Sequence, residues 1–181
     1  MSENKAMIRW QGFSLLAQAT HSLRHCSVII IAGGGYDLPD DVAMFRRIED
    51  AENENGPRAG IVAGLEFALA EGFDVVQFSP CDTPLADAGL FQRLLEMLTD
   101  HDCAIPMSSN RMHPLHALVR PEEFQKAMQE TPNDVGIHRI FERLNDVRIE
   151  VDDELMLNIN TDEEIERLNE IDLNELRKKR R

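Results

Sequence analysis

Asp82 has the surroundings that point most directly to chemistry. It follows an apolar run that a proline stops, Asp74-Val75-Val76-Gln77-Phe78-Ser79-Pro80-Cys81-Asp82-Thr83-Pro84. In open α/β sheets, ligands bind outside the carboxyl ends of strands. A carboxylate in this turn can therefore hold a hard cation over a nucleotide phosphate. Magnesium suits the place, because it commonly takes one or two carboxylates and completes its octahedron with water and phosphate. Taken alone, an Asp in a proline-bounded turn is most often a hydrogen-bonding residue of the turn itself, and both readings stand on this segment. The second candidate is Gly56-Pro57-Arg58-Ala59-Gly60-Ile61. It is either a turn whose glycines let backbone approach a ligand, or a plain loop feeding a helix with Pro57 in its first turn.

The remaining candidates are weaker. His113 could orient a phosphate, or could simply open a strand. His21, His25, His101 and His138 show no metal-ligand spacing, and no Ser-His-Asp or Cys-His arrangement can be drawn. Ile31-Ala32-Gly33-Gly34-Gly35 imitates a strand with a phosphate loop, but Tyr36-Asp37-Leu38-Pro39-Asp40-Asp41 follows, acidic and without Lys or Arg. Such a loop repels a triphosphate, so it reads as a turn after a strand. Trp10 reads as core or rim.

The elements that must position these residues alternate. Phe13, Leu15, Leu16, Ala19 and Leu23 recur at helical spacing between Gly12 and Arg24, and Ser27 to Ala32 reads as a buried strand. The acidic, polar stretch from Asp37 to Asn55 shows little periodicity beyond Val42 to Ile48. Helices are expected over Ala59 to Ala70, Asp87 to Leu98, Pro121 to Gln129 and Gly136 to Leu144. Strands are expected over Asp74 to Ser79, Cys103 to Pro106, Leu115 to Val119 and Val147 to Val151. Thr161 with Glu164 is a capping-box start for a helix running to about Asn169. Alternating strands and helices imply a layered α/β domain around a mostly parallel sheet, over residues 1–170, with a charged tail at 171–181.

Composition narrows the partners. The 181 residues fit one domain. A net charge of −14 argues against nucleic acid, which is bound through Lys and Arg, but leaves room for one nucleotide with a metal ion. The basic end, Arg177-Lys178-Lys179-Arg180-Arg181, reads as a solvated tail. No apolar run approaches the length of a membrane span, and no export signal is visible. Cys26, Cys81 and Cys103 form no CxxC pair, which fits reduced thiols in the cytoplasm.

GPRAGIVAGL at Gly56 to Leu65, SPCDTP at Ser79 to Pro84, HPLHALVR at His113 to Arg120 and LNINTDEEI at Leu157 to Ile165 occur in one order. Each piece is weak, but the ordered set resembles the molybdenum cofactor guanylyltransferases over nearly the whole chain. The resemblance implies a three-layer, Rossmann-like nucleotidyltransferase fold. It also implies transfer of GMP from GTP to molybdopterin, with magnesium required and pyrophosphate released. It puts the metal on Asp82, a second nucleotide contact on Asp50, and the guanine and ribose side at Gly56, Pro57 and Gly60. Asn158 and Asn160 fall beside the pterin side, with His113 near them; they could equally be turn amides before a capped helix. Transient contact with other cofactor-biosynthesis proteins or molybdoenzymes would follow. Gly33 stands where the family has an Asn, so that contact is absent, and Arg58 replaces a more usual Leu. A sister cytidylyltransferase is disfavoured by Cys81-Asp82-Thr83-Pro84, where Asp-Gln-Pro would be expected.

The family opens with an apolar strand and a loop of the form LAGGxSxRMGxDK. Met1-Ser2-Glu3-Asn4-Lys5-Ala6-Met7 resembles its tail, which puts Lys5 on the lysine that meets the phosphates, and together with Asp82 makes it the implied catalytic pair. On this reading the first strand and most of the loop are missing. The start is then either an internal methionine or a cut, or else a natural short form. The chain as given is expected to fold poorly and transfer little, and a silent module that binds the cofactor or a partner is the rival.

Overall fold

The computed structural model describes residues 5–33, 37–52, 54–132 and 135–171. Met1, Ser2, Asn4, Gly34, Gly35 and the basic run from Arg177 to Arg181 lie outside the described residues. A 3-10 turn, Lys5–Met7, leads into a hairpin of β1 (Arg9–Trp10) and β2 (Phe13–Ser14). Its two-residue loop takes positive φ at Gln11 (50°) and Gly12 (86°), the geometry that matches strand twist. The helix expected from Gly12 therefore starts later, as α1 (Leu15–Ser22), where the Ser14 hydroxyl accepts from the Ala17 amide. Asp41, in the 3-10 turn Asp40–Val42, accepts from both the amide and the hydroxyl of Ser14 at 2.8 Å, pinning the hairpin.

β3 (Ile30–Ala32) is shorter than the apolar run suggested, and pairs in parallel with β4 (Arg46–Ile48), which lies in the polar stretch where no strand is expected from the sequence. Arginines hid that strand: Arg47 Nε donates to the Gly33 carbonyl at 2.8 Å, and the Arg46 guanidinium lies 4.7 Å from the Phe67 ring centre. Then come α2 (Pro57–Glu71), β5 (Val76–Gln77), α3 (Ala88–Leu98) and β6 (Cys103–Ser108). β7 (Arg111–Met112) folds back on β6 through Ser109 and Asn110, both at positive φ. Pro114–His116 forms a 3-10 turn, so the strand expected from Leu115 shrinks to β8 (Leu118–Val119). After α4 (Pro121–Gln129), the expected helix 136–144 is only α5 (His138–Phe141). β9 (Asp146–Glu150) and α6 (Asp162–Glu170) complete the described order.

β6 is the sheet's axis, buried at every position. β9 runs parallel along one edge of it, from Cys103↔Asp146 to Met107↔Glu150. The other edge goes to β8 and β7, both antiparallel, and β5 pairs antiparallel with β8. β5, β6 and β9 thus point the same way. Side chains alternate across the sheet with period two. Ala104, Leu118 and Ile149 join Leu90, Phe91, Leu94 and Leu98 of α3 on one face. Cys103, Ile105 and Val119 join Ile61 and Leu65 of α2, Phe124 of α4, and Ile140 and Phe141 of α5 on the other. Helix, sheet, helix: the fold is a three-layer α/β domain, with helices packed on both faces of the sheet.

Candidate functional site

Asp82 stands five residues beyond β5, in a turn where the Ala86 amide donates to the Thr83 carbonyl at 3.1 Å. Its side chain is 23% exposed, so it reaches solvent and is not part of the core. Lys5, from the far end of the chain, brings Nζ to 3.4 Å from Asp82 Oδ2 and also donates to Asn160 Oδ1. Ala6, beside it and 1% exposed, anchors the Lys5 turn against Leu16, Ala17, Ile31 and Val42. Asn160 is held by two devices. The Ile159 amide donates to the Asp82 carbonyl at 2.7 Å, laying this segment along the turn. Glu164 accepts from the amides of Asn160 and Thr161, while Thr161 caps α6 as read from the sequence. Those bonds, the Asn160 amide first, hold the Glu164 carboxyl below its ordinary range.

The structure therefore gathers Lys5, Asp82 and Asn160, three of the residues singled out above. Asn158 is exposed, two positions before Asn160 with buried Ile159 between them. His113 Nε2 lies 2.7 Å from Ser108 Oγ and its ring stands edge-on to that of His116, 6.2 Å between centres, while burial followed by the Arg111 charge pushes its imidazole toward the neutral form. Asp50, Gly56, Pro57 and Gly60 form a second group at the start of α2. Gly56 caps that helix at φ 59°, ψ −146°, and the Ala51 amide donates to the Ala59 carbonyl at 3.2 Å. At Gly60 a Cβ would sit 3.3 Å from Ala32 Cβ and 3.4 Å from Asp50 Oδ1, so the absent side chain is what lets Asp50 and β3 close on the helix. Arg58 is buried at 9% exposure and takes Glu54 at 2.9 Å, which answers how an arginine fits where leucine is more usual.

The donor set fits a hard cation only in one way. Among the described residues no group of three or more His, Cys, Asp or Glu forms a cage. A lone, partly exposed carboxylate, with Lys5 on only one of its oxygens, matches the habit of magnesium, which leaves most positions to water and phosphate. Burial and then the Asp82 charge push the Cys81 thiol up to about 11, away from its thiolate form. Two residues escaped the sequence reading. Thr83 and His116, both buried, meet with Oγ1 and Nε2 2.6 Å apart. They are 33 positions apart in the chain, and no spacing rule links residues that only a sheet crossover joins.

The profile of the family described as MobA-like NTP transferase domain matches residues 1–147. The chain is 26% identical over 178 residues to a probable molybdenum cofactor guanylyltransferase of Bacillus cereus (strain G9842), covering 90% of this chain and 86% of that protein. It is similar in fold to molybdopterin-guanine dinucleotide biosynthesis protein A from Archaeoglobus fulgidus, at TM-score 0.67 and 21% identity, over 92% of this chain and 89% of that one. It is also similar to 2-C-methyl-D-erythritol 4-phosphate cytidylyltransferase from Thermus thermophilus, at TM-score 0.69 and 15% identity, over 92% and 94% of the two chains. At these identities the two structures speak to the fold alone.

Proposed function

The chain belongs to the MobA-like NTP transferase family, and from that premise we propose that it transfers GMP from GTP to molybdopterin. The terminal phosphate oxygen of the pterin attacks the α-phosphorus of GTP. The bond to the β-phosphate breaks, pyrophosphate leaves, and the guanine dinucleotide form of the cofactor is made. The observation that carries this reading is the meeting of Lys5, Asp82 and Asn160, a cation, a carboxylate and an amide from three distant parts of the chain.

Each residue has a task. Asp82 holds magnesium, which when bound draws charge from the phosphates. Lys5 leaves Asp82 for a phosphate oxygen when the nucleotide arrives, and so neutralises charge that grows during transfer. Asp50, with the Gly56, Pro57 and Gly60 turn, takes the guanine and ribose. Asn160 orients the incoming pterin phosphate from the opposite side, with Asn158 and His113 further out. Transfer of this kind draws on positioning and charge neutralisation more than on covalent chemistry. The setting is cytoplasmic, and hand-over of product to a molybdoenzyme or another cofactor-biosynthesis protein completes the task.

Pyrophosphate release in the presence of magnesium and molybdopterin tests this. GTP supports it and CTP does not, and even slow turnover reads that preference. Asp82→Asn removes most of it while leaving the melting curve cooperative. Preference for CTP would move the substrate to the cytidylyl branch, and an Asp82→Asn chain as fast as the unmodified one would remove Asp82 from the role.

A further inference from the structure

The loop from β5 to Asp82, Phe78-Ser79-Pro80-Cys81, has no regular structure to fix its end. Two bonds within reach of Asp82 are backbone bonds, from Ala86 to Thr83 and from Ile159 to Asp82. Besides the Lys5 contact on Asp82 itself, the turn has a tie between side chains, Thr83 Oγ1 to His116 Nε2 at 2.6 Å, and both partners are nearly sealed from solvent, at 6% and 4% exposure. His116 is itself fixed. It closes the Pro114–His116 turn, with its amide donating to the His113 carbonyl at 3.0 Å. Its own carbonyl accepts from Gln77 Nε2 at 2.8 Å, and Gln77 is the last residue of β5. One histidine therefore grips the strand before the loop and the turn after it.

We propose that His116 is a positioning residue, which through Thr83 fixes the turn that presents the Asp82 carboxylate to its metal. The inference rests on the reading of Asp82 as metal holder. A merely space-filling role does not account for the choice of side chain. Nδ1 of His116 is buried without a hydrogen-bond partner among the described residues, and an unpaired buried polar atom is costly. An apolar residue of similar volume would fill the place without that cost, but could not hold Thr83. Burial keeps the imidazole neutral, so the tie persists at any ordinary pH.

The test approaches the bond from both ends, with Thr83→Val and His116→Phe in the full 181-residue chain, and Thr83→Ser as the conservative control. The readout is the affinity for Mn2+, counted from the paramagnetic resonance signal of the free ion, beside the melting temperature. Thr83→Val and His116→Phe each weaken Mn2+ binding about 10-fold, the scale on which a lost outer support loosens a ligand. The double variant is no worse than either single one, because both remove the same bond, and Thr83→Ser binds as the unmodified chain does. If one substitution unfolds the chain, the other decides. Folded variants that bind Mn2+ unchanged overturn the proposal. Asp82→Asn separates the two readings: if it loses Mn2+ while the Thr83 and His116 variants keep it, only the positioning role falls. If Asp82→Asn binds as tightly as the unmodified chain, the metal reading falls and takes this proposal with it.

Discussion

Lys5 and Asp82 are 37% and 23% exposed in their side chains, and an ion pair that wet contributes roughly 0–1 kcal/mol to stability. Their meeting says more about where charge is placed than about what holds the fold. The buried pair beneath them is different. Burial, with the His113 charge second, pushes His116 down to about 3 from an ordinary 6.5. The unfolded chain takes a proton on this imidazole below about 6.5, while the folded chain refuses it until about 3. Stability is therefore full above that window and falls with acidification, by up to about 1.4 kcal/mol per pH unit. Between pH 7 and pH 5, the unmodified chain loses roughly 2 kcal/mol more than His116→Phe does. Urea midpoints of both chains at the two pH values measure it, and equal losses would mean that His116 titrates normally in the fold.

At the scale of elements, α2 shows how one sequence feature does two jobs. Gly56 stands in open space but at φ 59°, ψ −146°, where only backbone strain resists a side chain. Gly56→Ala costs about 1–3 kcal/mol in unfolding free energy, and an unchanged urea midpoint would show that the turn relaxes freely. Gly60 has ordinary φ but tight neighbours, so Gly60→Ala gains up to about 1 kcal/mol of helix preference while pressing on Ala32 and Asp50. The glycines were legible in the sequence, as were α4 at both ends and the Thr161 cap, because these rest on local rules of capping and period. β4 was not, because Arg46 and Arg47 mask it until Phe67 and the Gly33 carbonyl are folded beside them. The hairpin ahead of α1 was missed because its turn uses Gln11, a non-glycine, at positive φ. The candidate site was legible only as an ordered set of motifs. Nothing local in Lys5 or Asn160 tells that they meet, and the contact between Thr83 and His116 exists only once β5 and β8 are paired.

At the scale of the molecule, the described strands form separate sheets. β3 and β4 pair only with each other, β5 pairs only with β8, and no ladder among the described residues joins the two groups. α2 spans both, with Gly60 against Ala32 of β3 and with Ile61 and Leu65 packed with Phe78 beyond β5. Ile30, Val75 and Val76 are apolar but only half-buried, whereas β6 is sealed. Open apolar strand edges template pairing with another chain. Against this stands a net charge of −14, which keeps copies apart. The two effects differ in how they respond to salt. The Debye length falls from about 30 Å at 0.01 M to about 10 Å at 0.1 M and about 3 Å at 1 M, so repulsion fades while edge pairing and apolar burial do not. The chain is therefore monomeric in dilute buffer and self-associates as sodium chloride is raised. Light scattering on a sizing column, at fixed protein concentration, reads the mass directly. Val76→Lys, in β5, whose second edge is unpaired among the described residues, suppresses the association where Met44→Lys, at an exposed site just before β4, does not. A monomer at every salt concentration would mean that these edges are covered in solution, and a mass that falls with salt would mean that charge, not strand pairing, brings the copies together.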